Sequence, residues 1–85
     1  MPKDQKAAAL RYDRALPAPF LIAKGKGELA KKILSLAEKS HIPVYSEEVV
    51  TDLLFLMEIG DMIPEEMYEV IALILSHTYG LQERI

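Results

Sequence analysis

Hydrophobic and polar positions change their period several times along this 85-residue chain. After a charged leader (1–6), residues 7–13 end in the alternation Leu10, Arg11, Tyr12, Asp13, which predicts a β-strand. In "LPAPF" (16–20) two prolines fix φ and remove two donors, so the chain turns or runs extended there. "FLIAK" (20–24) is a short continuous apolar run, consistent with a buried strand, and "GKG" at 25–27 ends it. From Glu28 the spacing becomes helical. Leu29, Ile33, Leu36 and Ala37 share a face with Ala30 and Leu34 beside them, and Lys31, Lys32, Glu38 and Lys39 lie mostly outside. The helix should stop near Ser40 and His41, because Ile42 precedes Pro43 and is pushed toward an extended conformation. "IPVYS" (42–46) then predicts a third strand, making a βαβ unit with a right-handed parallel crossover.

The remainder is helical in pattern. Ser46 is a candidate N-cap for a helix with Glu47 and Glu48 in its first turn and Val49, Val50, Leu53, Leu54, Leu56 and Met57 as its apolar side. Phe55 falls off that side. Gly60 in "EIGD" is a candidate left-handed stop. Pro64 opens a last helix that runs to Tyr79, with Gly80 ending it. The expected fold class is α/β: a small mixed three-stranded sheet, about three packed helices and one domain over 1–85. One question follows: with only six residues before it, what does the first strand pair with?

A chain this short buries roughly 60–65% of its unfolded surface, enough for one core. Cysteine is absent, so disulfides and thiolate metal sites are excluded. The longest apolar run, 70–75, is far short of the roughly 20 residues of a membrane span, and the N-terminus has no apolar signal core. A cytoplasmic protein is expected. The net charge of −3 hides an asymmetry: residues 1–40 sum to +5 and residues 41–85 to −8. Such polarity can orient a domain against a charged partner, although two interleaved halves would cancel much of the field. Nucleic acid is not an expected partner, because there is no arginine-rich stripe and no aromatic stacking platform.

The sharpest chemical motif is "GKGELA". Gly25, Lys26 and Gly27 fit the start of a glycine-rich dinucleotide loop between strand and helix, with Glu47 about 20 residues on as the ribose acid. Amides at a helix N-terminus would cradle the phosphates. Against this, one βαβ unit is half a dinucleotide site, Glu28 puts a negative charge beside the phosphates, and Glu47 is equally a first-turn helix acid. His41 and His77 sit at predicted helix C-termini, where a cation is favoured, without enough spaced ligands for a metal. The acid pairs 47/48 and 65/66 point apart on a helix, and no serine lies in a nucleophile-elbow context. No catalytic residues, cofactor or metal site are expected.

The ordered set "AALRYD", "PAP", "IAKGKGELAKKI", "IPVYSEE" and "EIGDMIPEEMYEVIALIL" resembles the cytoplasmic C-terminal domain of the FlhB/YscU/SpaS export-switch family of flagellar and other type III secretion systems. The most specific pieces are Ala23-Lys24-Gly25 and the 58–68 segment, and the resemblance runs from about Ala7 to Leu81. It implies a non-enzymatic interaction module whose partners are export apparatus components, export substrates or chaperones, with docking at a membrane-embedded export gate. It also implies a small apolar docking patch at Ala18, Pro19, Ala72 and Leu75; from the pattern alone Ala72 and Leu75 are equally core residues and Pro19 a turn residue. In the family a membrane region and a further strand come first, and an Asn-Pro-Thr-His turn cleaves itself through the asparagine side chain. Here the matching positions read Pro2-Lys3-Asp4-Gln5, and the chain has no asparagine. The resemblance therefore implies a chain without that chemistry, whose first strand lacks its upstream hairpin partner. A monomer in dilute solution is expected, with edge pairing through residues 7–13 as the route to a dimer. The alternative function is a small βαβ nucleotide- or anion-binding protein using Gly25 to Gly27.

Overall fold

The computed structural model describes residues 5–79; the start of the charged leader and the stop expected at Gly80 lie outside the described residues. Two strands, β1 (Lys6–Arg11) and β2 (Phe20–Lys26), are followed by helices α1 (Glu28–Lys39) and α2 (Glu48–Leu54). A 3-10 turn, Glu65–Met67, leads directly into α3 (Tyr68–Tyr79). The first strand does have a partner: β1 and β2 form an antiparallel hairpin. Asp13 shapes the start of the connecting loop. Its carboxylate accepts the Ala15 amide at 2.9 Å and its carbonyl the Leu16 amide at 2.8 Å, an aspartate turn written into the local sequence.

Register gives the hairpin two unlike faces. Ala7 lies opposite Gly25 and Ala9 opposite Ala23, while Ala8 lies opposite Lys24 and Leu10 opposite Leu21. Ile22 is the extra residue of a bulge between the Ala9–Ala23 and Leu10–Leu21 pairings, and it returns Leu21 to the face of Leu10. Ala7, Ala9, Ala23 and Gly25 make one face almost flat, and α1 lies on it with Ala30 fully buried. A Cβ on Gly25 would come within 2.6 Å of Leu29 Cδ2, so only glycine admits the helix this closely. The other face carries the main core, in which Leu21 meets Ala18, Val50, Leu54, Ile63, Met67 and Ile71, with Ala8 and Leu10 packed against them.

Three expectations from the pattern are corrected. First, among the described residues the sheet has two strands rather than three, and 42–46 is not one of them, so the expected parallel βαβ crossover is not formed. Residues 42–46 form an exposed connector, because α1 ends in a way that sends the chain off the sheet. His41 adopts a left-handed φ of 59°, its amide donates to Glu38 O at 3.1 Å, and the Ile42 amide donates to Ala37 O at 2.8 Å. This is a Schellman stop with histidine where glycine is usual. Second, the free edge of β2 is occupied by a later segment. The Gly60 amide donates to Leu21 O at 2.8 Å, the Leu21 amide to Asp61 O at 2.9 Å and the Ile63 amide to Pro19 O at 2.9 Å, with an isolated bridge between Phe20 and Met62. Gly60, at φ 101°, serves this crossing rather than the end of α2, which stops at Leu54. Third, Ser46 is not the cap: Glu47 holds that position, without a side-chain bond.

Lys24 explains Phe55. Its ammonium donates to Phe55 O at 2.9 Å and Met57 O at 2.6 Å, satisfying carbonyls just past α2. The Phe55 ring lies 5.7 Å from that ammonium and 5.5 Å from the Lys6 ammonium. Lys6 also pairs with Asp52 at 3.1 Å. A phenylalanine outside the apolar stripe of α2 is thus held between two lysines of the hairpin.

Candidate functional site

The chain from Pro17 to Pro19 is stiff by composition, and the Ile63 amide pins Pro19 through its carbonyl. Ile63 in turn precedes Pro64 and the 3-10 turn that launches α3. The hydrogen bond between two distant stretches therefore brings the start of α3 beside the hairpin loop. On α3, Tyr68, Ile71, Ala72, Leu75 and Ser76 recur at i, i+3, i+4, i+7 and i+8, one helical face. That face and the loop enclose an open groove of about 380 Å³, lined also by Tyr12, Pro17, Ala18, Pro19 and Ile63.

All four residues of the expected docking patch line this groove. Their burial differs. Ala18 is 2% exposed and belongs to the core, and Pro19 is buried. Leu75 is half-buried and Ala72 is exposed. The choice between core and surface therefore falls differently for different members. The short Ala72 side chain leaves space between helix and loop, while Ala18 and Pro19 form a fixed wall.

Among the described residues no charged side chain lines the groove; the polar side-chain groups there are the hydroxyls of Tyr12, Tyr68 and Ser76. Ser76 Oγ donates to Leu73 O at 2.8 Å, back into its own helix. What remains is an apolar slot with two half-exposed tyrosines, suited to uncharged apolar side chains and costly for an unpaired charge. Tyr12, Pro17, Ile63, Tyr68, Ile71 and Ser76 were not among the residues expected from sequence. The helical spacing of 68–76 was a usable signal, but its pairing with Tyr12 and Pro17 depends on non-local contacts.

The glycine loop lies at the opposite end of β2 from this groove, and its glycines have structural explanations. Gly25 makes room for Leu29. Gly27 starts α1 at φ 65°, and its amide is spent on Gln5 O at 2.8 Å. Glu28 stands at the helix start, 3.5 Å from Lys31. The nucleotide- or anion-binding alternative is not supported. Among the described residues no three His, Asp or Glu side chains gather as metal ligands, and no helix is long and apolar enough to cross a membrane. His41 stands at the end of α1, and the side chain of His77 lies outside the described residues.

The sequence profile of the FlhB HrpN YscU SpaS family matches residues 4–78. YlqH of Bacillus subtilis is 38% identical over 82 residues, covering 95% of this chain and 88% of YlqH. The flagellar biosynthetic protein FlhB of the same organism is 32% identical over 81 residues, covering 93% of this chain but 22% of FlhB. The chain thus spans about a fifth of the length of that FlhB relative. Among solved structures, the PscU C-terminal domain superposes with a TM-score of 0.78 at 27% identity, covering 86% of this chain and 95% of that one. A singly substituted EscU C-terminal domain gives 0.75 at 31% identity, with coverages of 85% and 78%.

Proposed function

Because the chain belongs to the FlhB HrpN YscU SpaS family, we propose that it is a non-enzymatic docking module of the flagellar or type III protein export apparatus, receiving segments of export substrates in the groove between the hairpin loop and α3. One observation supports this reading most: Ala18, Pro19, Ala72 and Leu75, more than 50 residues apart in sequence, share one uncharged groove. A preformed apolar slot beside a stiff proline turn binds a peptide without first having to order itself. The two tyrosines at its margin add rigid contact area at low entropic cost. The module works in the cytoplasm, at the mouth of the export gate, with export substrates, their chaperones or apparatus components as partners. Cleavage by asparagine cyclisation plays no part, because the chain has no asparagine.

The test uses Ala72→Asp. Ala72 is exposed, so the substitution leaves the thermal midpoint within a few degrees of wild type. It also sets an unpaired carboxylate in the apolar slot and abolishes binding of N-terminal peptides from export substrates, followed by amide shifts at 17–19 and 68–76. Wild-type binding by the folded variant would refute the docking role, and a collapsed midpoint would return Ala72 to the core.

A further inference from the structure

Of the three hydroxyls in the groove, only two are uncommitted. Ser76 Oγ spends its proton on Leu73 O. The hydroxyls of Tyr12 and Tyr68 make no hydrogen bond to any described residue. Tyr12 is 46% and Tyr68 43% exposed, so solvent rather than protein serves these hydroxyls. They stand on different walls: Tyr12 follows β1 on the hairpin side, and Tyr68 is the first residue of α3. Much of the main chain around them is already spent. Pro17 and Pro19 have no N–H, Pro19 O takes the Ile63 amide, and Ala72 and Leu75 keep their amides within α3. Polar recognition in this slot therefore falls largely to two phenols that face each other's wall.

Given the docking role of the groove, on which this rests, we propose that Tyr12 and Tyr68 are its specificity-determining residues, each hydroxyl holding a main-chain amide group of a protein segment that lies extended along the slot. A mostly apolar pocket with a few placed polar groups takes its affinity from the first and its orientation from the second. The conformation of the occupant follows from hydrogen-bond accounting. An extended segment points successive C=O and N–H groups to opposite sides, so it can meet hydroxyls on two walls. A helix spends those groups on itself and would leave both hydroxyls without a partner. A phenol both donates and accepts, so either a C=O or an N–H of the segment serves. Uncharged apolar side chains fill the space over Ala72, while the hydroxyls read only the main chain, which every sequence has. One groove can thus accept segments of different sequence.

The probes are short overlapping peptides spanning the N-terminal segment of a flagellar export substrate, titrated by fluorescence anisotropy. Tyr12→Phe and Tyr68→Phe keep the ring and remove the hydroxyl, so a role in packing alone predicts no change. Each should weaken the best-bound peptide about 3–10-fold, with an unchanged thermal midpoint. When that peptide is isotope-labelled and bound to the wild-type chain, its carbon shifts should be those of an extended backbone. Ala72→Asp reports on docking alone and should abolish binding. If it does while both phenylalanine variants bind as wild type does, docking stands and the role of the hydroxyls falls. Helical shifts in the bound peptide overturn the proposal equally. If no peptide binds the wild-type chain, docking itself fails and this proposal with it.

Discussion

The two faces of the β1–β2 hairpin solve the same problem in different ways. Under α1 the hairpin offers Ala7, Ala9, Ala23 and Gly25, and the helix comes close because nothing projects. Under α2 and α3 it offers Leu10 and Leu21, and stability there comes from burying volume. The first face depends on what is missing from its side chains and the second on what they fill. A substitution of one size class should therefore act in opposite senses on the two: adding atoms damages the α1 face, and removing them damages the other.

The largest effect is expected on the filled face. Leu21 is fully buried, so Leu21→Ala should cost about 2–5 kcal/mol, read from chemical denaturation; a cost below 1 kcal/mol would show that the core collapses around the gap. On the flat face, Gly25→Ala should cost about 1–3 kcal/mol by pushing on Leu29. Leu29→Ala in the same chain should recover part of that loss. Strictly additive losses would mean that the close approach is not what selects glycine. Next comes Lys24→Met, which leaves the Phe55 and Met57 carbonyls without their shared donor and should cost about 1–2 kcal/mol. Its amide-exchange signature should be confined to 55–57, and loss of protection spread over the hairpin would point to a wider role. The smallest effect concerns the end of the helix on the flat face. His41→Gly relieves the left-handed backbone and should stabilise by about 0.5–1 kcal/mol, raising Tm by a few degrees. A lower Tm would mean that the His41 side chain supports the stop.

How far the groove could be read in advance varies by residue. All four patch residues came through family resemblance; the pattern by itself marked Ala18 and Pro19 only as part of a turn, because two prolines within three residues stiffen the chain wherever they stand. Ala72 and Leu75 came only through family resemblance, since in isolation their spacing is equally that of a core stripe. Tyr12 and Ile63 gave no local signal. They reach the groove because the Ile63 amide bonds Pro19 across more than 40 residues of intervening chain. The third strand expected at 42–46 failed for a related reason. A short apolar run reads alike whether it enters a sheet or only follows a helix, and the left-handed turn at His41 decided the matter.

The sequence by itself determined the elements with strong local causes: the helical period from Glu28, the break at the proline pair, the short apolar run of β2, and the absence of any asparagine or cysteine chemistry. Propensity, steric restriction and composition act over a few residues, so they can be read from a few residues. The tertiary structure alone decided that β1 pairs with β2, that the 58–63 segment rather than 42–46 completes the edge of β2, that Lys24 caps the end of α2, and that of Ala18, Pro19, Ala72 and Leu75 the first two are buried while Ala72 is open. Each of these depends on which distant groups satisfy a backbone donor or fill a volume. Many pairings meet those demands nearly equally well, and they are distinguished only when the whole chain is packed at once.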